Sequence, residues 1–314
     1  MGAPRKAVAF RRGRFMLRAD MKTLALLILA VLPAIGAADD WPNWRGPDHD
    51  GISKEKGWRT ELGDPEWRVN VGIGFSSVAV AGGRLYTLGH DGKKQGGQET
   101  VYCLDAETGK EIWTFSYAAE LMPFLHEGGP LSTPAVDGGH VYTIGKGGQF
   151  YCFDAETGKP AWEKDLFALT KPAIKTREWW GYAPSPLILG DLVIVESGAT
   201  LAFDKKTGEE KWRSKMYVPA YGTPAAFTHG GKARLAVLKT DGLAVLDAAD
   251  GKTLAFQEWT TSYRTSAATP IIAGDQIFLS TGYGTGCVLT GSPAPPWKKS
   301  IPTKRWPTTW RTAS

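Results

Sequence analysis

The chain is built from short stretches in which hydrophobic and polar residues alternate, separated by turns rich in glycine, aspartate and threonine. Alternation with a period of two is typical of β-strands that bury one face. The clearest example is residues 102–113, YCLDAETGKEIW, which return at 151–162 as YCFDAETGKPAW. Each copy predicts a strand, a tight polar turn and a returning strand, which together form a β-hairpin.

Two further copies follow along the chain, AFDKKTGEEKW at 202–212 and a weaker VLDAADGK at 245–252. Each copy has a companion upstream, as in SSVAVAGGRLY at 76–86 and STPAVDGGHVY at 132–142. Companion and hairpin together make a unit of four strands over roughly 45 residues, which is the sequence signature of a β-propeller blade.

The repeated residue types explain how each hairpin forms. The aspartate can accept hydrogen bonds from backbone N–H groups two and three residues later, and the glycine can adopt the positive φ that the reversal needs. A tryptophan eight residues after the aspartate lies on the returning outer strand, where its ring can pack against the next blade. The predicted structural repeat residues are Asp105, Gly109, Trp113, Asp154, Gly158, Trp162, Asp204, Gly208, Trp212, Asp247 and Gly251.

These copies resemble the PQQ-like β-propeller repeat family, which includes quinoprotein dehydrogenases and the outer-membrane assembly scaffold BamB. The opening segment 40–51, DWPNWRGPDHDG, is similar to the start of exported members of planctomycete type. The resemblance implies an all-β, PQQ-like β-propeller of four-stranded blades. The complete units are expected at about 74–115, 131–165, 185–215 and 223–259, with the first strand or two of a fifth at 269–289.

Members of the family carry seven or eight blades, so this chain is expected to form an incomplete, open ring. Residues 66–71 resemble the outer, tryptophan-bearing strand of a blade whose other strands are absent. Open strand edges predict self-association. The tail, 291–314, is rich in proline and basic residues and is predicted to be disordered. It is read either as the product of a truncated or frame-shifted gene or as an accessory basic tail.

Residues 1–38 are predicted to be an N-terminal extension and a signal peptide, followed by the propeller repeats at 39–290. A cationic residue, Lys22, is followed by an apolar run at 24–32 and by mostly small side chains at 34–38. We expect cleavage between Gly36 and Asp39. The apolar run is too short to span a bilayer. Residues 1–20 are read either as a wrongly assigned start or as a long twin-basic leader. The mature chain is expected to be periplasmic or extracellular, without a transmembrane span.

The net charge of +5 comes from the two ends of the chain. Residues 39–290 contain 25 basic and 31 acidic residues, a net charge of −6. A nucleic-acid surface needs a concentrated basic patch, so no nucleic-acid partner is expected. The three cysteines are scattered and have no metal-ligand spacing, which predicts neither a disulfide framework nor a metal site.

None of the common hydrolase, metalloprotease or phosphate-loop motifs occurs, so no catalytic residue is predicted. The resemblance to quinoproteins implies a possible PQQ cofactor with calcium. Dehydrogenases of the family carry adjacent cysteines against the quinone, whereas Cys103, Cys152 and Cys287 stand apart. The expectation is therefore no cofactor, with PQQ and calcium as the alternative.

The connection 167–184 ends in EWWGYAP and leads into an innermost strand, as do other segments rich in aromatic residues. Loops on a rigid ring are where propellers bind. The candidate partner-binding residues are Glu178, Trp179, Trp180, Tyr182, Tyr221, Tyr263 and Arg264. The alternative is that the two tryptophans only cover a blade edge. The sequence thus favours an exported, non-catalytic scaffold for protein partners, with a quinone-dependent dehydrogenase or a nonfunctional truncated product as alternatives.

Overall fold

The structure is a computed structural model that describes residues 39–57, 61, 63–123, 126–172, 180–261, 264–282 and 284–290. The predicted leader and tail, 1–38 and 291–314, lie outside these residues. The chain divides into two units, 1–39 and 40–314, and the architecture below belongs to the second. Among the described residues, no helix has the length and apolar character needed to cross a membrane.

Antiparallel strands form five sheets, four of them with four strands and one with three. Sheet 1 contains β1 (Ala79–Ala81), β2 (Arg84–His90), β3 (Gln98–Asp105) and β4 (Glu111–Ala118). Sheet 2 contains β5 (Ala135–Asp137), β6 (His140–Ile144), β7 (Gln149–Asp154) and β8 (Pro160–Asp165). Sheet 3 contains β9 (Leu187–Leu189), β10 (Leu192–Ser197), β11 (Ala199–Asp204) and β12 (Glu210–Arg213). Sheet 4 contains β13 (Ala225–His229), β14 (Lys232–Lys239), β15 (Gly242–Asp247) and β16 (Thr253–Glu258). Sheet 5 contains β17 (Ile271–Ala273), β18 (Gln276–Thr281) and β19 (Gly286–Thr290).

The hydrophobic core lies between successive sheets. One buried cluster joins sheets 1 and 2, a second joins sheets 2 and 3, and two more join sheets 3 and 4 and sheets 4 and 5. The first strand of each sheet lies innermost, with β1 next to β5 and β5 next to β9. Sheets stacked in this way are the blades of a β-propeller, so the predicted fold class, an incomplete β-propeller, is confirmed. We call the sheets blades 1 to 5.

The structure differs from the predicted arrangement in two places. Blade 5 has three strands, whereas the sequence predicted one or two, because the segment Gly286–Thr290 pairs with β18 over its whole length. Residues 66–71 were predicted to be an outer strand, yet the structure assigns no strand there. Trp67 nevertheless packs its ring against Gly109 of blade 1, as the tryptophan of a preceding blade would.

The turn between the third and fourth strands is built in the same way in successive blades. In blade 1, Asp105 Oδ1 accepts hydrogen bonds from the backbone N–H of Thr108 at 2.8 Å and from its hydroxyl at 2.7 Å. The N–H of Gly109, which has φ +67°, donates to the Asp105 carbonyl oxygen at 2.9 Å. The two hydrogen bonds from Thr108 hold the pKa of the Asp105 carboxyl group below its ordinary value.

In blades 1 to 3, the tryptophan of the outer strand packs onto the turn glycine of the next blade. Trp113 lies so close to Gly158 that a Cβ on this glycine would be 2.5 Å from the ring. The indole N–H of Trp113 donates to the carbonyl oxygen of Ala155 in the same turn, at 3.0 Å. Trp162 and Trp212 pack in the same way against Gly208 and Gly251. The hairpin turn of one blade is therefore the docking surface for the blade before it.

The connection from blade 2 to blade 3 begins with a short helix, α1 (Leu166–Thr170). Asp165 caps the helix, because its side chain accepts a hydrogen bond from the N–H of Ala168 at 2.9 Å. The Thr170 hydroxyl donates to the Leu166 carbonyl oxygen at 2.8 Å. The helix packs against β7 and β8 of blade 2 and against β10 of blade 3.

Candidate functional site

The candidate site lies on one face of the propeller, which we call the upper face. Because the strands of a blade alternate in direction, the hairpin between its second and third strands lies on the same face as the connection to the next blade. This face carries Phe75 before blade 1, His126 before blade 2, Lys146 in the β6–β7 hairpin and Trp180 before blade 3. Each side chain comes from a different segment, so only the fold brings them together.

Three of these rings form a continuous aromatic stack. The His126 ring lies parallel to the Trp180 indole, with centroids 5.4 Å apart and 15° between the planes. Phe75 packs edge-on against His126, with centroids 5.1 Å apart and an angle of 84°. The Phe75 side chain is 50% exposed, and the other two residues are half-buried. The stack thus offers flat apolar surface with a polar ring in its middle, as is common in protein-binding sites.

Lys146 lies beneath the stack, with its Nζ 3.2 Å from His126 Nε2. His126 Nδ1 accepts a hydrogen bond from the N–H of Gly128 at 3.0 Å, so a neutral ring carries its proton on Nε2. That proton faces Lys146, and only an uncharged amine can accept it. Burial lowers the pKa of Lys146 to about 8, against the opposing effect of Glu99. Burial, followed by the nearby Lys146, also lowers the pKa of His126.

A buried carboxylate supports this hairpin from the neighbouring blade. Glu99 of blade 1 is fully buried and accepts a hydrogen bond from the Tyr117 hydroxyl at 2.7 Å. The backbone N–H of Lys146 lies 3.2 Å from both carboxylate oxygens. Burial raises the pKa of Glu99 and raises that of Tyr117 well above its ordinary value. A Cβ at Gly145 would lie 2.5 Å from this carboxylate, so the glycine lets the hairpin approach the carboxylate closely.

The predicted site residues separate into different environments. Tyr182 is buried, and its hydroxyl lies 2.8 Å from Ser197 Oγ. Its backbone N–H donates to the Lys146 carbonyl oxygen at 2.8 Å, so Tyr182 positions the hairpin beneath the stack. Glu178, Trp179 and Tyr263 lie outside the described residues.

The two remaining predicted residues belong to later connections. The N–H of Tyr221 donates to the Ser266 carbonyl oxygen at 2.8 Å, and burial raises the pKa of this tyrosine to about 12. Arg264 is exposed, has φ +55° and pairs with Asp241 at 2.7 Å. Both lie on the upper face, where blades 4 and 5 begin.

Sequence reasoning identified Trp180 but missed its partners. His126 is an isolated histidine in the sequence, and Lys146 stands in a glycine-rich turn, GKGG, that is typical of an ordinary loop. The one available signal was that aromatic residues precede several innermost strands, among them Phe75.

The donor groups of the described residues are not clustered as a bound calcium ion would need. Among the described residues, no group of three or more His, Cys, Asp or Glu side chains is placed to hold a metal ion. The two fully buried glutamates are already engaged, Glu99 with Tyr117 and Glu196 with Lys239. Cys103 and Cys152 are buried in separate inter-blade cores.

Four-stranded blades, stacked through their cores and joined by tryptophan-on-glycine contacts, define a repeat protein of the PQQ-like β-propeller class. The chain belongs to the family described as "Outer membrane protein assembly factor BamB", whose family model matches residues 53–129 and 97–308.

Individual relatives agree with this assignment. The chain is 28% identical over 252 residues to outer membrane protein assembly factor BamB of Burkholderia pseudomallei. The aligned region covers 74% of this chain and 58% of the relative. The crystal structure of BamB from Moraxella catarrhalis matches with a TM-score of 0.51 and 20% identity, over 70% of this chain and 59% of that one. The chain therefore spans less than two thirds of the length of these relatives.

A quinoprotein enzyme shares the fold as well. Quinohemoprotein alcohol dehydrogenase from Comamonas testosteroni matches with a TM-score of 0.53 and 15% identity, over 87% of this chain and 47% of that one. At this level of identity the match shows a common fold only.

Proposed function

We propose that this protein is an exported, non-catalytic β-propeller that binds protein partners through the stack formed by Phe75, His126 and Trp180. The observation that carries the proposal is the geometry of the stack: three rings from three connections form one surface on a rigid support. Aromatic residues held in this way lose little conformational entropy on binding and dominate many interfaces.

The polar groups around the stack support a structural and binding role. Glu99 is engaged by Tyr117 and by the Lys146 backbone, and Lys146 by His126. The relative from Burkholderia pseudomallei is named as an outer membrane protein assembly factor, so the partners expected for this chain are components of outer-membrane protein assembly.

The test is recovery of such partners by affinity purification from the native cell envelope, comparing Trp180→Ala and Phe75→Ala with the unmodified chain. Truncating an aromatic side chain at the centre of an interface commonly costs about 2 kcal/mol or more, so we expect partner recovery to fall at least about tenfold. Ile112→Ala is the matched control, because Ile112 is 41% exposed on the outer strand β4. Unchanged recovery with both stack variants, while their thermal unfolding stays normal, would refute the proposal.

Export is supported by the leader pattern before Asp39 and by the name of the relatives. N-terminal sequencing of the protein recovered from the periplasm tests it, with a mature start expected between Gly36 and Asp39. Retention of the complete leader in the cytoplasm would contradict export.

Self-association of the incomplete ring is a further part of the proposal. Sedimentation velocity over a hundredfold range of concentration tests it, and a monodisperse monomer throughout would exclude it.

A dehydrogenase role is tested separately by adding PQQ and calcium to the purified protein. We expect neither a change in absorbance nor dye reduction.

A further inference from the structure

The segment 40–51 begins beside the innermost strand of blade 1. The Trp41 N–H donates to the Val80 carbonyl oxygen at 2.8 Å, and the Val80 N–H donates back to Trp41 at 2.9 Å. Asp40 Oδ1 accepts a hydrogen bond from the N–H of Gly82 at 3.0 Å. Since β2 occupies the other edge of β1, the segment lies on the edge that faces the propeller axis.

The same segment reaches two other blades. The Pro42 carbonyl oxygen accepts a hydrogen bond from the N–H of Val136 in β5, at 2.8 Å. The Trp44 indole N–H donates to Thr269 Oγ1 at 3.1 Å, and Thr269 lies two residues before β17. These strands are the innermost of blades 2 and 5, and innermost strands border the axial channel. Residues 41–44 therefore lie in the channel and connect blades 1, 2 and 5.

The segment has a fixed shape of its own. Gly46 has φ +77° and lies beneath the Trp41 ring, where a Cβ would be 2.7 Å from the ring atoms. The Gly51 N–H donates to the Arg45 carbonyl oxygen at 2.8 Å, and Arg45 Nη2 donates to the Asp50 carbonyl oxygen at 3.0 Å. Arg45 adopts φ +68°, a conformation that a side chain disfavours and that these contacts maintain. The segment is thus a compact loop that holds its first residues against the innermost strands.

We propose that the axial groove bordered by β1, β5 and Thr269 is a binding site for an extended peptide, and that its ligand is the chain's own segment 40–51. Main-chain pairing with β1 supplies affinity, as in other cases where a peptide adds a strand to a sheet edge. The indole hydrogen bond to Thr269 supplies selectivity and fastens blade 5. This site is distinct from the stack on the upper face. The bound segment fills the axial groove and so excludes any other ligand from it.

The direct test restores the ligand in trans. A variant lacking residues 39–51 is titrated with a fluorescent synthetic peptide of residues 39–51, and hydrogen exchange is followed by mass spectrometry. We expect one-to-one saturable binding, together with slower exchange in β1, β5 and β18 when the peptide is present. A peptide of scrambled sequence is the control. A folded deletion variant that fails to bind the peptide would overturn the proposal.

A second measurement uses the full-length chain and remains informative if the deletion variant does not fold. Trp44→Phe and Thr269→Val each remove one partner of the same hydrogen bond. We expect each variant to speed exchange in β18 by about 2- to 10-fold, the range for one hydrogen bond, and the double variant to add nothing further. Exchange in β10 should not change. Additive effects of the two substitutions, or no change of exchange in β18, would contradict the proposal that the hydrogen bond from Trp44 to Thr269 fastens blade 5. No partner protein is involved, so the outcome is independent of the proposed function.

Discussion

Gly158 has two structural roles, one within its own blade and one in the contact with the preceding blade. Its φ of +70° closes the hairpin turn of blade 2, and its missing side chain leaves room for Trp113 of blade 1. Three other turn glycines receive a tryptophan in the same way: Gly109, Gly208 and Gly251. Each of these glycines is therefore constrained both by its own turn and by the tryptophan that packs onto it.

The two purposes can be measured separately with Gly158→Ala and Gly138→Ala. Gly138 also has a positive φ, +55°, but a Cβ there would meet nothing within 4 Å. We expect Gly138→Ala to cost about 1 kcal/mol, for backbone conformation alone. Gly158→Ala should cost about 1–3 kcal/mol more, because the new methyl group displaces Trp113. Urea unfolding followed by tryptophan fluorescence measures both, and equal losses would show that the contact contributes nothing.

Lys146 predicts a dependence of stability on pH. Burial lowers its pKa from 10.5 to about 8 in the folded chain. Between these two values the unfolded chain holds a proton that the folded chain has released, so the contribution of Lys146 to stability rises with pH. Below pH 8 the lysine is charged in both states, and its contribution is smallest and constant.

Lys146→Met removes this titration, so the comparison is between the two proteins at each pH. Urea unfolding at pH 7, 8, 9 and 10 should show the unmodified chain gaining stability relative to Lys146→Met above pH 8. A difference that stays constant over this range would exclude the lowered pKa.

The contacts between blades vary around the ring although the blades repeat. Blades 1 and 2 are joined by Glu99 and the β6–β7 hairpin, whereas blades 3 and 4 are joined by a fully buried ion pair, Glu196 with Lys239 at 2.5 Å. Lys239 also donates to the Gly198 carbonyl oxygen at 2.9 Å and to Thr200 Oγ1 at 3.0 Å. All the donor capacity of this buried ammonium group is thereby used.

Lys239→Met is expected to destabilise the fold by about 3–5 kcal/mol, because it leaves the Glu196 carboxylate buried without a counter-ion. Lys211→Met is the control, since Lys211 forms a pair with Glu209 at 2.6 Å on the surface, where pairs contribute little. Calorimetric melting of both variants measures the difference. A similar, small shift in both would show that the buried pair is not needed for stability.

Among the five blades, blade 5 is expected to have the lowest local stability against unfolding. In repeat proteins each unit gains stability mainly from its immediate neighbours. The strand β10 of blade 3 packs between two other blades and is buried along almost its whole length, whereas β18 of blade 5 alternates between buried and exposed positions. Native-state hydrogen exchange should therefore show faster opening of β18 than of β10. Equal protection in the two strands would show that the blades unfold as one unit.

Much of this architecture could be predicted from the sequence because it depends on contacts over short distances along the chain. The spacing from Asp105 to Trp113 recurs from Asp154 to Trp162, and it correctly predicted hairpins, blades and an incomplete propeller. The stack could not be predicted, since His126 and Trp180 come from different connections and no local pattern relates them. Binding by the predicted residues on the upper face remains a prediction.

By itself, the sequence determined where each strand turns and which side chains point towards a neighbouring blade, because alternation and turn chemistry act within one hairpin. Only the tertiary structure decided which blade carries a buried ion pair, how His126 meets Lys146, and that residues 41–44 occupy the axis. The physical reason is that these contacts join segments separated by 20 to 225 residues along the chain. Such pairs meet only after the blades have stacked.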